Sequence, residues 1–162
     1  MKTIVKKEVK QYVNEEIEIT GATLLSIEEA EQLPIGLRKY DNWWWLRSPG
    51  YDFDLAALVY FDGSVGDGGD LVYRSYNTVR PALQISDINS SNLQIGDIFE
   101  FGDVFFKIIS DKLALCLTDI GTHCFRKDRQ YPDANNYEKS DIKKYVDDWF
   151  NESKESADAT IE

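Results

Sequence analysis

The sequence predicts an α+β protein with a mainly antiparallel, twisted sheet and two or three flanking helices. Short runs with strand-like alternation, separated by glycine- and aspartate-rich turns, recur between residues 43 and 117. Helical spacing of apolar residues is found near the two ends of the chain and in one short segment around residue 30. Short strands joined by tight turns pair as hairpins, and flanking helices cover the sheet. These two observations define the class.

Three segments have the features of helices. Apolar residues recur at helical spacing over residues 4–17. Ser26 with Glu29 three positions later is a capping box, which predicts a short helix through Leu33, ended by Pro34 and Gly36. Ser140 is the expected N-cap of a last helix with an apolar stripe from Ile142 to Phe150. The polar tail after Asn151 is expected to fray.

The predicted strands are short, and most are bounded by turn residues. Gly21 is expected to break the first strand, and Pro81 is expected at an edge or a strand end. Turns are predicted at Asp62-Gly63-Ser64, Gly102-Asp103 and Ser110-Asp111, and a loop over Gly121–Asn136. The strands are expected at Ile17–Thr20, Trp43–Leu46, Ala56–Phe61, Leu71–Tyr73, Val79–Ile85, Asp97–Phe101, Val104–Ile109 and Leu113–Leu117.

The length of 162 residues predicts a single domain, residues 1–162. The polar segment Ser86–Asn92 is the expected internal linker. It separates a first half, residues 1–85, from a strand meander and C-terminal helix over residues 93–152, with the frayed tail at 153–162.

Composition limits the function. The net charge of −11 argues against direct nucleic-acid binding, which needs a basic face. It is compatible with a basic protein partner, including one that binds nucleic acid, and equally with charge that only keeps the protein soluble. No membrane-spanning run is found and no signal peptide is predicted, and two cysteines are too few for a disulfide framework. We therefore expect a cytoplasmic protein, and the oligomeric state is left open.

The residues that could carry chemistry do not form a known catalytic pattern. His123 is the single histidine, no serine lies in a G-x-S-x-G motif, and Cys116 and Cys124 are expected to be structural. Asp62, Asp67 and Asp70 lie among glycines without the order of an EF-hand loop, so turn roles are favoured and cation binding is left open. We expect no enzyme, no cofactor and no metal site.

Framework roles are expected for the remaining conspicuous residues. Trp43, Trp44 and Trp45 are expected to pack in the core, with Trp44 facing away from the other two. Arg47 and Arg80 are expected to form internal salt bridges, for example to Asp41 or Asp62.

Three motifs carry a family resemblance. Trp44 to Gly50 reads WWLRSPG, a DGSV turn follows at Asp62 to Val65, and VRPAL follows at Val79 to Leu83. In these motifs the chain resembles a widespread, uncharacterised bacterial and phage domain family. The resemblance implies a C-type-lectin-like fold. That fold hosts many functions, so it does not define one.

The second half of the chain is similar to the N-terminal half of the same family. Ile95 to Gly102 resembles its opening strand, Leu113 to Leu117 its next strand, and Ser140 to Tyr145 its helix. In the family these segments precede the ones that resemble Leu24 to Ala30 and Trp44 to Gly50. The resemblance therefore implies a circularly permuted domain of phage or prophage type.

The stretch between Tyr51 and Arg80 has an unusual composition. It lacks lysine, glutamate, glutamine, methionine and tryptophan, although these types make up 34 of the 162 residues and about six are expected in thirty positions. Members of the family that the chain resembles often carry asparagine here. Asparagine codons altered only at adenines reach the residue types that are present, as in lectin-like domains diversified by retroelements. Strands and turns are also simply poor in the missing types.

Tyrosine, serine, glycine, asparagine and arginine are favoured in binding surfaces. We therefore predict a partner-binding surface on this stretch, formed by Tyr51, Asp52, Phe53, Asp54, Tyr60, Asp67, Asp70, Tyr73, Arg74, Ser75, Tyr76 and Asn77.

The function predicted from the sequence is a non-enzymatic protein-binding module that acts in the bacterial host cell. An inhibitor of a host defence system, such as an anti-CRISPR, is its concrete form, with loop carboxylates entering a basic channel of the partner. A carbohydrate- or ligand-binding lectin-like module is the alternative, favoured by the tryptophans and disfavoured by the absence of a calcium ligand set.

Overall fold

The computed structural model describes residues 18–86, 88 and 93–161. The helix predicted over residues 4–17 and most of the predicted linker lie outside the described residues. The described chain is α+β with antiparallel strand ladders, as predicted. Its elements in chain order are β1 (Ile19–Thr23), α1 (Ile27–Glu31), α2 (Ile35–Arg38), β2 (Trp44–Pro49), β3 (Leu55–Val59), β4 (Val65–Leu71), β5 (Ala82–Ile85), β6 (Ile98–Phe101), β7 (Val104–Ile108), β8 (Leu113–Cys116) and α3 (Asp141–Ile161).

The chain groups into two compact units, and both halves of the sequence contribute to each. Of the described residues, the first unit contains 18–23, 81–86, 88, 93–118 and 147–161, whereas the second contains 24–80 and 119–146. The chain therefore passes between units at places other than the predicted linker. Within the described residues, no helix is both long and apolar enough to cross a bilayer.

The first unit is built on a five-stranded antiparallel sheet with the order β1-β5-β8-β7-β6. The strands β6, β7 and β8 form the predicted meander. Gly102 and Asp103 turn the chain between β6 and β7, both with positive φ, at 63° and 64°. Two-residue turns of this hand match the twist of paired strands. Pro81 lies just before β5, at a strand end as expected.

Aromatic side chains fill the core of the first unit. The rings of Phe99 and Phe106 are stacked with centroids 6.0 Å apart, and Phe106 also contacts Trp149 of α3 at 5.9 Å. Phe150 of α3 lies 5.8 Å from Phe101. Each buried aromatic ring removes a large apolar area from water, so the predicted apolar stripe of the last helix is what docks it on this sheet.

Three predicted boundaries are wrong. The strand β1 continues through Gly21 to Thr23, because its ladder to β5 continues past a register shift at that glycine. The glycine- and aspartate-rich run is itself a strand, β4, held by backbone bonds to β3, whereas a strand was predicted only at Leu71–Tyr73. The last helix extends to Ile161, beyond the Asn151 boundary predicted for its ordered part.

The second unit carries the three-stranded antiparallel sheet β2-β3-β4. Helix α1 starts with the predicted capping box: Ser26 Oγ accepts from Glu29 N at 3.1 Å, and Glu29 Oε1 accepts from Ser26 N at 2.9 Å. The helix ends at Glu31, and Pro34 then caps the separate helix α2, which contains Gly36. The Ser140 hydroxyl accepts from Lys143 N at 3.0 Å and so begins α3 as predicted.

The tryptophans anchor β2 in the core of the second unit. Trp44 and Trp45 are both fully buried, which confirms core packing for these two, whereas Trp43 is only partly buried. The Trp45 indole N–H donates to the His123 carbonyl at 2.9 Å and its ring packs edge-on against Phe125, while the Trp44 indole N–H donates to the Arg38 carbonyl at 3.0 Å. Strand β2 is therefore covered on both faces.

The two framework arginines lie inside the second unit. The Arg80 guanidinium is buried against two rings, 4.6 Å from the Trp44 centroid and 5.0 Å from that of Tyr40, and it donates to the Leu37 carbonyl. Arg47 forms an internal salt bridge as predicted, but its partner is Glu29, at 2.5 Å. The predicted partners of Arg47, Asp41 or Asp62, do not form this salt bridge.

Candidate functional site

The predicted binding residues gather at the end of the β3–β4 hairpin where Leu55 pairs with Leu71. Here the loop at residues 51–54 meets the chain that leaves β4, because Val72 N donates to the Asp54 carbonyl at 3.0 Å. A third segment, from the Gly121–Asn136 loop, completes the arrangement. We call the surface formed by residues 51–54, 67, 70, 73–76 and 129–131 the tyrosine surface.

Hydrogen bonds to backbone carbonyls hold the third segment in place. Arg126 N donates to the Val72 carbonyl at 2.9 Å. The Asn135 side-chain amide donates to the carbonyls of Asp52 at 2.9 Å and Leu55 at 3.1 Å. These three hydrogen bonds fix the loop to the hairpin by specific contacts.

Glycines in β4 allow aromatic rings to lie directly against the strand. A Cβ at Gly66 would be 2.7 Å from the Tyr60 ring, and one at Gly68 would be 3.4 Å from the Tyr51 ring. Gly69 has φ of 94° and lies at the irregularity of the β3–β4 ladder, against the backbone of Ala56. These glycines therefore serve close packing and backbone conformation.

Asp70, Arg74 and Tyr76 form the first of two similar chains of contacts. Arg74 Nε lies 3.1 Å from Asp70 Oδ1, and Arg74 Nη1 donates to the Tyr76 hydroxyl. The guanidinium also lies 5.7 Å from the Tyr76 ring centroid. Asn77 donates to Asp70 at 3.0 Å, but it is fully buried. Asn77 therefore supports the surface from below and is not displayed.

Asp54, Arg129 and Tyr73 form the second chain. Arg129 Nη1 is 3.8 Å from Asp54 Oδ2, and its guanidinium lies 5.3 Å from the Tyr73 ring centroid. In both chains an arginine joins a carboxylate to a tyrosine. The carboxylates of Asp54 and Asp70 are 15% and 13% exposed, so they are largely enclosed by their own protein.

The exposed aromatic rings give the surface its chemical character. Tyr51 is 78% exposed and Tyr131 is 75% exposed, with Tyr76 at 52% and Tyr73 at 43%. Tyr131 packs edge-on against Phe53 with centroids 5.2 Å apart. Large rings fixed at their base but open to solvent are typical of binding anchors.

Both exposed carboxylates of the surface are close to Tyr51, Asp52 as the next residue in the chain and Asp67 at its hydroxyl. Asp52 precedes Phe53 and accepts its N–H, and Asp67 precedes Gly68, over which the Tyr51 ring lies. A hydrogen bond from the Tyr51 hydroxyl to Asp67, together with the negative charge of Asp67, raises the pKa of Tyr51. Among the described residues, neither Asp52 nor Asp67 takes part in an ion pair.

One predicted residue lies away from the rest. Tyr60 follows the far end of β3, where its ring packs edge-on against Trp43 at 4.9 Å, next to the exposed Phe61. Tyr60 thus belongs to a separate aromatic group near the Asp62–Ser64 turn.

The sequence did not predict three residues of the site: Arg129, Tyr131 and Asn135. They lie in a loop without periodicity, and the one available signal was its content of arginine, tyrosine and asparagine, the types that mark the predicted stretch. Their placement depends on contacts with residues more than seventy positions earlier, which periodicity cannot indicate.

Other candidate chemistry finds structural roles. Asp62 accepts from the backbone and hydroxyl of Ser64, as a turn residue does. Burial, followed by the negative charge of Asp141, raises the pKa of the Cys124 thiol, which disfavours the reactive thiolate. Across the described ranges, no three histidine, cysteine or acidic side chains converge as metal ligands.

The fold and the site define an α+β protein with a rigid, tyrosine-rich surface on its three-stranded sheet. Comparisons with protein-family models, with curated proteins and with solved structures each find no match to this chain.

Proposed function

We propose that the chain is a non-enzymatic module that binds another protein through the tyrosine surface. The observation that carries the proposal is the pair of carboxylate–arginine–tyrosine contacts, Asp70–Arg74–Tyr76 and Asp54–Arg129–Tyr73. Each holds an exposed ring in one position before any partner arrives. Binding energy in protein interfaces is concentrated in tyrosine, tryptophan and arginine side chains, and preorganised side chains lose less entropy on binding.

The electrostatics favour a modified form of the mechanism predicted from the sequence. Four loop aspartates were expected to enter a basic channel of the partner, but Asp54 and Asp70 are neutralised by Arg129 and Arg74. Aromatic contacts therefore supply the main part of the proposed interface, and the exposed Asp52 and Asp67 supply its charge.

The finer fold and the biological setting belong to the same proposal. A permuted C-type-lectin-like domain is supported by the five-stranded sheet of the first unit, which takes β1 and β5 from the first half of the chain and β6, β7 and β8 from the second. The resemblance places such domains in phages and prophages. The concrete proposal is an inhibitor of a bacterial defence protein, such as an anti-CRISPR, acting inside the host cell.

Affinity capture with matched variants tests the proposal. The wild-type chain, a Tyr76→Ala/Tyr131→Ala variant and a Phe105→Ala variant are immobilised and exposed to host lysate, and retained proteins are purified and titrated against each chain. Phe105 is an exposed ring on β7, so it controls for loss of any surface aromatic. We expect a partner that binds wild type and the Phe105 variant equally and the tyrosine variant at least tenfold more weakly.

A glycan array with the same three chains separates the carbohydrate alternative from this proposal. Exposed tyrosine rings also stack on sugars, so tyrosine-dependent glycan binding without a protein partner would replace it. Equal partner binding by the tyrosine variant would exclude the tyrosine surface as the interface.

A further inference from the structure

The positive and negative charges of the tyrosine surface do not balance evenly across it. Its two arginines, Arg74 and Arg129, are each committed to an enclosed aspartate and a tyrosine ring. The remaining carboxylates, Asp52 and Asp67, are both exposed; Asp52 follows Tyr51 in the chain, and Asp67 lies at the Tyr51 hydroxyl. The uncompensated negative charge is therefore concentrated around one ring.

The Tyr51 ring is fixed in a way that leaves it available. Tyr51 N donates to the Gly68 carbonyl at 3.0 Å, which ties the residue to β4, and the ring lies over Gly68 at van der Waals distance. The hydroxyl is directed to Asp67. The ring is nevertheless the most exposed of the large apolar or aromatic side chains among the described residues, at 78%.

A ring that lies against the strand, with one carboxylate at its hydroxyl and another on the next residue, is complementary to one kind of group. A lysine ammonium or arginine guanidinium placed over the ring interacts with the negative face of its π system, and a flanking carboxylate neutralises its charge. An apolar or acidic side chain gains neither term, and an acidic one is repelled by both aspartates.

We propose that Tyr51, Asp52 and Asp67 form a subsite that receives a lysine or arginine side chain of the protein partner. The inference rests on the proposed function and names the chemistry of the contact. Asp54 and Asp70 do not take part, because their carboxylates are enclosed and already paired. The partner therefore presents one cationic side chain to Tyr51, and the rest of its contact surface packs against the other tyrosine rings.

The experiment uses simple cations, so it does not need the partner. The full ¹⁵N-labelled chain is titrated with N-acetyl-arginine amide, N-acetyl-lysine amide and the neutral N-acetyl-glutamine amide, and amide shifts are followed by NMR. We expect saturable shifts at Tyr51, Asp52 and Gly68 for the two cations, with dissociation constants in the millimolar range. The glutamine analogue should bind at least fivefold more weakly.

Two charge-matched variants locate the effect. Asp52→Asn/Asp67→Asn should weaken cation binding at least fivefold, whereas Glu31→Gln/Glu138→Gln removes the same charge from two exposed positions elsewhere and should leave it unchanged. Absence of saturable shifts in the wild-type chain would overturn the subsite, as would equal weakening in both variants.

The outcome is separable from that of the proposed function. If the cations fail to bind but Tyr76→Ala/Tyr131→Ala still abolishes partner binding, the subsite alone is wrong. If the cations bind as expected but no partner depends on the tyrosines, the proposed protein interface is wrong and the site is a cation-binding site of another kind.

Discussion

Arg129 holds its guanidinium between the Asp54 carboxylate, 3.8 Å away, and the Tyr73 ring, although Arg129 and Asp54 come from opposite halves of the chain. This contact ties the loop of the second half to the stretch that the sequence marked as a binding surface. The ion pair is long and its arginine side chain is 55% exposed, so it contributes little to stability. Its value lies in orienting Tyr73.

Replacing Arg129 with alanine should therefore separate orientation from stability. We expect Arg129→Ala to lower the free energy of unfolding by less than about 1 kcal/mol, as for other exposed pairs. The Tyr73 ring should lose its fixed position, seen as changed ring chemical shifts and faster averaging by NMR. Urea unfolding gives the stability, and Lys112→Ala, an exposed cation in the first unit, is the control. An unchanged Tyr73 spectrum would show that the cation contact does not hold the ring.

The Asn135 side chain should hold its loop against the segment of residues 51–55. It donates to two carbonyls of the 51–55 segment. Each carbonyl also accepts a backbone N–H, from Leu55 or from Gly50, so the substitution removes two ordinary hydrogen bonds, worth about 0.5–1.5 kcal/mol each or less. For Asn135→Ala we expect faster amide exchange at Arg126, whose N–H bonds Val72. Asn151→Ala, at an exposed position of α3, should leave that exchange rate unchanged, and equal rates in both variants would contradict the anchoring role.

Replacement by alanine should change the free energy of unfolding in opposite directions at two glycines. Gly69 has φ of 94°, and a Cβ there would lie 2.7 Å from the Ala56 carbonyl oxygen. Gly69→Ala should therefore cost about 2–4 kcal/mol from strain and overlap. Gly36 lies in α2 with nothing within 4 Å of the added carbon, so Gly36→Ala should stabilise by up to about 1 kcal/mol. Denaturant unfolding measures both free energies. An unchanged stability of Gly69→Ala would contradict the close approach of Gly69 to Ala56 at the irregularity of the β3–β4 ladder.

The lowered pKa of Glu29 should make the free energy of unfolding depend on pH in the acidic range. Burial by itself raises the pKa of Glu29, but hydrogen bonds from Arg47 and Ser26 and the Arg47 charge outweigh burial, so the pKa lies below its usual value. A carboxyl with a lowered folded pKa stabilises the protein above its unfolded pKa of about 4.3, and this stability is lost as the pH falls through the folded value. The half-exposed pair limits the contribution to about 1 kcal/mol or less.

Glu29→Gln is the informative variant, because glutamine preserves the capping box and removes only the charge. We expect it to be less stable than wild type at pH 7, with the difference disappearing as the pH falls below the folded pKa of Glu29. The exposed Glu28→Gln in the same turn should show no such convergence. Urea unfolding from pH 7 downward measures it, and a constant difference at every pH would exclude the charge as the cause.

Local chemistry allowed several elements to be predicted closely. The Ser26 capping box, the Asp62–Ser64 turn, the β6–β8 meander and the Ser140 cap all depend on residues a few positions apart. Gly21 and β4 were misassigned because strand pairing is a property of two segments. A ladder partner holds glycine-rich backbone extended, even where the segment by itself has low strand propensity.

The candidate site shows the same division. The unusual composition of Tyr51–Arg80 indicated where exposed tyrosines would be found, and Tyr51, Tyr73 and Tyr76 are exposed. It could not indicate that Asn77 is buried or that Tyr60 packs on Trp43. Exposure along an irregular chain depends on what covers each residue, and that cover comes from distant segments.

The sequence by itself therefore determined the α+β class, the caps and turns, and the stretch rich in binding-type residues, because periodicity and local hydrogen bonding act over a few residues. Only the tertiary structure decided which aspartate charges are compensated by a nearby arginine and which are not. Arg74 neutralises Asp70 from four positions away, but Arg129 reaches Asp54 from the other half of the chain. Ion pairing depends on distance in space, and so the location of the remaining charge, around Tyr51, could be read only from the folded chain.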